Sequence, residues 1–293
     1  MHDVFYFTDI HGDYDLYDSI IQWCIDTDPE CSIIFGGDAC DRGDYGYRIM
    51  QELLDICQVV YLKGNHEDMF VKAAREIIGF CAADDDIYNR FKSKDKEFAR
   101  QLCLTCDRRV LPNLYLHLRN GGARTIQDWI VDGADEDFIE KIENLPLTFT
   151  YGNLDFCHSG YIYRVFKEVA DAEHEGNFVW GDRAKKLLWD REAIPLGWET
   201  GRIAVFGHTP TPLLPRGIYG HDNQSSHAHP CVWKDHMGGE NKRGGLKLDM
   251  DTGAVFTGRA FLLNCLTMTV YGFEKEVFEN GCVIKNIDPY KII

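Results

Sequence analysis

Five short apolar runs, at residues 4–8, 32–35, 59–62, 154–157 and 203–206, each end in a polar cluster that carries a His or an Asp. Each run is rich in β-branched or aromatic residues, which suits buried strands. Between the first three lie residues 15–24 and 47–57, whose apolar positions recur at helical spacing. Strands alternating with helices predict an α/β protein with layered sheets. In such sheets ligands bind outside the carboxyl ends of the strands, and all five clusters fall there.

The clusters read Asp9-Ile-His11-Gly12, Gly37-Asp38-Ala39-Cys40-Asp41-Arg42-Gly43, Gly64-Asn65-His66-Glu67, His158-Ser159-Gly160 and Gly207-His208-Thr209-Pro210. Carboxylate, imidazole and amide oxygen are ligands for Mn, Fe or Zn. An Asp and a His two residues apart at a strand end can both turn toward one ion, and a carboxylate on the next strand can bridge to a second. One such cluster alone could be a turn before a helix. Five in order at strand ends make a strong signal.

These motifs resemble the signature of the calcineurin-like metallophosphoesterases of the phosphoprotein-phosphatase type. Asn120-Gly121-Gly122, the stretch from Leu188 through Trp189, Asp190 and Arg191 to Glu192, and the stretch from Leu248 through Asp251, Thr252 and Gly253 to Val255 narrow the resemblance. They are similar to the prokaryotic and phage branch, which includes phage protein phosphatases and symmetrical diadenosine tetraphosphatases. The resemblance implies a four-layer αββα sandwich with two mixed β-sheets plus a helical cap insertion. It also implies two divalent ions, with Mn expected first and Fe, Zn or Co possible. Asp9 and His11 would bind the first ion and Asp38 would bridge. Asn65, His158 and His208 would complete the second. His66 would be the general acid oriented by Asp41, and Arg42 and Arg191 would clamp the phosphate oxygens.

Elementary chemistry agrees with those roles. Two ions roughly 3.5–4 Å apart can hold a bridging hydroxide and stabilise both attacking and leaving oxygens. The leaving alkoxide needs a proton, which a His paired with a carboxylate can donate. The planar fork of Arg binds two phosphate oxygens at once. The implied reaction is direct in-line hydrolysis of a phosphomonoester on a phosphorylated protein or peptide. A dinucleoside polyphosphate or another small phosphoester is the alternative. A non-catalytic phosphate-binding scaffold is a remote one, because every ligand and both members of the acid pair are present.

Charge constrains the partner. With 31 Lys and Arg against 47 Asp and Glu, the formal net charge is −16, which disfavours nucleic acid or an anionic membrane held by bulk electrostatics. Positive charge for a phosphate must then be local. The first residues show neither a basic region nor a long apolar one, and no apolar stretch is long enough to span a bilayer. Eleven scattered cysteines read as reduced thiols. Together these predict a cytoplasmic protein. Oligomeric state is not legible.

The chain reads as one catalytic domain over residues 1–293, without a clear linker. Residues 77–118 look helical and charged, with Asp84, Asp85 and Asp86 as a solvated helix start, and are placed as a cap over the site. Residues 215–245 form a Gly/His-rich loop insertion, where His221, His227, His229, Cys231 and His236 are taken as a solvated cluster and not as a third metal site. From Gly253 onward, residues 254–256, 261–271 and 282–287 are expected as strands. His2, His117 and His174 are expected to have no catalytic role. Arg183, which also follows a Trp, competes weakly with Arg191. Thr8 stands where the resembled pattern usually has Gly, a difference expected to matter little.

Overall fold

The computed structural model describes residues 2–179, 181–194, 198–214, 229–234, 245–278 and 281–292. The strands are β1 Val4–Phe7, β2 Ser32–Phe35, β3 Val59–Tyr61, β4 Thr148–Tyr151, β5 Leu154–Cys157, β6 Ile203–Phe206, β7 Cys231–Lys234, β8 Leu246–Asp249, β9 Arg259–Asn264, β10 Thr269–Phe278 and β11 Gly281–Lys291. The helices are α1 Tyr14–Thr27, α2 Gly46–Asp55, α3 Asn65–Cys81, α4 Asp85–Lys92, α5 Lys96–Leu104, α6 Pro112–Arg119, α7 Ala123–Asp132, α8 Glu136–Glu143, α9 Tyr163–His174, α10 Asp182–Trp189 and α11 Ala254–Thr257.

Two mixed sheets form. One runs β11-β10-β9-β1-β2-β3 and the other β4-β5-β6-β8-β7. In the first, β1, β2 and β3 are parallel, while β9 pairs antiparallel with β1. In the second, β5, β6 and β8 are parallel. Alternation along each strand sends side chains to opposite faces. Tyr6, Ile34, Phe156, Val205, Leu248 and Leu263 meet between the sheets. Phe5, Phe7, Ile33 and Phe35 point the other way, into a cluster shared with α1, α2, α3 and α7. Ala204 and Phe206 do the same on the far side, against α9 and α10. The result is helix, sheet, sheet, helix.

Residues 77–118 hold the end of α3 and helices α4, α5 and α6, whose Phe91, Phe98, Leu102 and Leu114 join the first helical cluster. Asp84 caps α4, its carboxylate accepting from the Asp86 and Ile87 amides at 3.0 Å. Among the described residues no helix is long and apolar enough to cross a membrane. The cysteines are free thiols.

The carboxyl-terminal reading needs two corrections. Residues 254–256 are not a strand but lie in the short helix α11, because Gly253 and Gly258 both adopt left-handed backbone (φ +69° each) and bend the chain at either end. Residues 261–271 are not one strand but parts of the antiparallel pair β9 and β10. Asn264 ends β9 by accepting from the Leu266 and Thr267 amides at 3.0 and 3.1 Å, a turn built by its side chain.

Candidate metal centre

Parallel pairing in both sheets brings five of these strand ends to one edge of the sandwich. Asp9 and His11 follow β1, Asp38 through Arg42 follow β2, and Asn65 and His66 open α3 just after β3. His158 follows β5 and His208 follows β6, both from the second sheet. The centre therefore straddles the two sheets. Among the described residues nine non-glycine positions have positive φ, and six belong here: Asp9, His11, Asp38, Asp41, Arg42 and His208. Such backbone costs energy and persists only where the surroundings over-determine it. Two glycines make room for the acids. A Cβ at Gly207 would collide with Asp9 Oδ2, and one at Gly64 with Asp38 Oδ1.

Among the described residues three groups of three potential ligand atoms lie within 4.8 Å of one another: His11, Asp38 and His66; Asp38, His158 and His208; and, behind them, Cys40, Asp41 and His117. Asp38 is common to the first two. Asn65 completes the second group, its Oδ1 lying 3.0 Å from His158 Nε2 and 2.7 Å from His208 Nδ1. Backbone carbonyls set the ring orientations. His11 Nδ1 donates to Cys40 O at 2.9 Å and His158 Nδ1 to Gly36 O at 3.0 Å, so each turns Nε2 inward. Asp9 stands at the edge of these groups. Its carboxylate accepts from the Thr8 hydroxyl at 2.6 Å and from the His208 amide at 3.1 Å. The Thr8 hydroxyl thus orients a ligand candidate, a use the sequence comparison with Gly passed over.

The electrostatics fit a cation. Burial pushes Asp9 up to about 7, with the Asp38 charge adding to it. His11 is lowered to about 3, first by burial and then by His66. Burial alone would lower His158, but Asp38 beside it outweighs that and pushes it up to about 10. Buried carboxylates, an amide oxygen and imidazole nitrogens all converge. Divalent ions held by Asp9, His11, Asp38, Asn65, His158 and His208 would satisfy this donor set.

His66 and Asp41 are directly paired. His66 Nδ1 donates to Asp41 Oδ2 at 2.7 Å, with both groups buried. Burial works to raise Asp41, yet the hydrogen bonds and charges of His117 and His66 outweigh it and hold the carboxyl below its usual range. Arg42 lies between two rings, Nη1 2.7 Å from His11 Nε2 and Nη2 3.0 Å from His66 Nε2. Its guanidinium sits 5.5 Å from the ring centroid of Phe256, which α11 holds out at 71% exposure. Arg191 Nε donates to His208 Nε2 at 3.1 Å. Arg183 instead faces Glu168 on the surface at 3.3 Å. The structure thus places Arg191, and not Arg183, at the centre.

Two residues escaped the sequence reading. Glu67 is fully buried and accepts four hydrogen bonds, from the amides of Asp38, Ala39 and Gly64 and from the Tyr61 hydroxyl, at 2.7 to 2.8 Å. It joins β3 to the turn after β2. His117, expected to be idle, donates through Nε2 to Asp41 Oδ1 at 2.8 Å. Of the loop cluster, His221, His227 and His236 lie outside the described residues. His229 packs its ring 5.3 Å from that of Phe261, and Cys231 opens β7.

A two-sheet α/β sandwich with metal-ligand groups sharing one carboxylate, flanked by Arg and a His–Asp pair, defines a metal-dependent phosphoesterase. The chain belongs to the calcineurin-like phosphoesterase family, whose family model matches residues 3–235. No curated protein is a significant match. Among solved structures, a metallophosphoesterase from Sphaerobacter thermophilus is similar at 12% identity, with 98% of this chain and 88% of that one covered and a TM-score of 0.41. A Saccharomyces cerevisiae protein serine/threonine phosphatase with similarity to human PP5 shares 13% identity over 98% of this chain and 80% of that one, at a TM-score of 0.41. A cold-active protein-tyrosine phosphatase of a psychrophilic Shewanella species shares 15% identity over 97% and 80%, at 0.43.

Proposed function

We propose that this enzyme hydrolyses phosphomonoesters on phosphorylated proteins or peptides, as a Ser/Thr-type phosphatase. The observation that carries the reading is the pair of ligand groups sharing Asp38, with His66 and Arg42 on the same edge. Divalent ions held by Asp9, His11, Asp38, Asn65, His158 and His208 would lower the pKa of a water nucleophile and place positive charge against the phosphoryl oxygens. Arg42 and Arg191 bind those oxygens through fork-shaped N–H pairs. Once Arg42 has turned from His66 Nε2 to the phosphate, that nitrogen can hold the proton that the leaving oxygen receives, while Asp41 keeps His66 Nδ1 protonated and the ring in place. An acidic chain then recognises a single phosphate locally while repelling long polyanions.

The test is parallel turnover of a phosphoserine peptide and diadenosine tetraphosphate with Mn²⁺, Fe²⁺, Zn²⁺ or Co²⁺ added. Faster hydrolysis of the peptide is expected. Preference for the dinucleotide moves the substrate class, and no turnover of either with any ion overturns the reading.

A further inference from the structure

Asp41 does not serve His66 alone. Its Oδ2 accepts from His66 Nδ1 at 2.7 Å, its Oδ1 from the Thr125 hydroxyl at 2.8 Å, and His117 Nε2 lies 2.8 Å from both oxygens. The same hydroxyl accepts from the Asp41 amide at 3.2 Å. A carboxylate can only accept, so the proton on this contact belongs to His117 Nε2. The opposite nitrogen, His117 Nδ1, is buried with no hydrogen-bond partner among the described residues. A solvated or merely structural histidine would place its polar edge where both nitrogens are served. Among the described residues Asp41 is thus the hydrogen-bond partner that fixes the polar edge of this ring.

The surroundings hold the ring there. His117 is fully buried on α6, 76 residues from Asp41 in sequence. Phe70, on the helix that His66 opens, packs edge-on with ring centroids 6.1 Å apart. The Asn120-Gly121-Gly122 turn completes the fit. A Cβ at Gly122 would collide with the His117 ring, and Gly122 N donates back to His117 O at 3.0 Å. Gly121, at φ +95°, accepts from the Arg42 amide at 3.1 Å. One turn therefore serves both the imidazole behind Asp41 and the backbone of Arg42.

We propose that His117 is a positioning residue for proton delivery. It anchors Asp41 by reaching both carboxylate oxygens, so that Oδ2 presents a fixed acceptor to His66 Nδ1 and His66 Nε2 stays aimed at the leaving oxygen. His117 itself touches neither substrate nor ions. This rests on the reading of His66 as general acid and extends it to a three-residue line, His117–Asp41–His66.

The experiment uses the Mn²⁺-loaded protein and two substrates that differ in their need for a proton. A phosphoserine peptide leaves as an alkoxide, whereas 2,4-dinitrophenyl phosphate leaves as a stable phenolate. General acid catalysis contributes about 10²–10⁴-fold where a proton is needed. His117→Leu should lose roughly tenfold or more in kcat on the peptide and about twofold or less on the aryl ester, with KM unchanged on both. His117→Gln, whose amide can donate to Asp41, should recover most of the peptide rate, and the shorter His117→Asn should not. If His117→Leu fails to fold, the Gln and Asn variants carry the same comparison. Equal losses on both substrates, or no loss in the Leu and Asn variants, would overturn the proposal and leave the phosphatase reading standing. A wild-type protein inert on both substrates would sink both.

Discussion

The Arg42 guanidinium lies 2.7 Å from His11 Nε2, the ring nitrogen that His11 turns toward the centre. That nitrogen has one lone pair, so Arg42 and a divalent ion exclude each other there. Loading the site should free Arg42 for phosphate. Arg42→Ala should leave Mn²⁺ affinity by titration calorimetry no weaker than wild type. Catalytic efficiency should fall about 10–100-fold, as expected for losing a charged hydrogen-bond pair worth roughly 1.5–3 kcal/mol. Weaker metal binding in the variant would contradict the competition.

Phe256 covers this arginine. At 71% exposure it adds little to the core, so Phe256→Ala should leave the urea midpoint unchanged. An exposed cation–π contact is worth about 0.5–1 kcal/mol, so KM for a phosphopeptide should rise about two- to fivefold. A changed midpoint with unchanged KM would speak for a purely structural role.

Glu67 predicts a stability effect. Gln keeps its size but offers one acceptor oxygen where Glu67 has two, against four donors. Glu67→Gln should cost about 2–4 kcal/mol in urea unfolding, because buried amides lose their partner. A cost below about 0.5 kcal/mol would show that the turn holds without it.

Gly207 tests the first ion. Its α-carbon faces Asp9, and Ala there would push the carboxylate aside. Metal analysis of Gly207→Ala should show one ion per chain fewer than wild type. Full occupancy would remove Asp9 from the ligand set.

Lys247 sets a pH dependence. It is buried on β8, donating to Gly160 O and Ala193 O at 2.7 Å. It thereby ties the loop after His158 to the loop after Arg191. Burial lowers it from an ordinary 10.5 to about 7. Between those values the unfolded chain holds a proton that the folded one has released, so this residue makes stability rise with pH across that window. The full slope for one proton is about 1.4 kcal/mol per pH unit. Lys247→Met should lose that rise, seen as the difference between the two proteins in urea unfolding at pH 7, 8 and 9. Parallel curves would refute the shift.

The layered α/β architecture and the ligand candidates were legible because both are local in sequence. A strand of four apolar residues followed at once by Asp or His shows its own end. The roles of Glu67 and His117 were not legible, since each comes from packing between distant segments. His117 reaches Asp41 across 76 residues, and an isolated His on an apolar helix face carries no mark of its partner. The strand expected at residues 254–256 failed for a different reason. The strand preference of Val255 and Phe256 was overruled by left-handed glycines at 253 and 258, which bent the chain into a turn of helix and put Phe256 over Arg42.

The six left-handed residues around the metal centre have a consequence for how such a chain can change. Asp38→Gly or His208→Gly would relax a backbone that only glycine adopts freely. The same exchange would remove a donor atom from the proposed ion site. A variant optimised for backbone ease alone would be a glycine-lined sandwich without those donor atoms. Asp and His at these strained positions therefore set donor atoms at the centre against backbone ease.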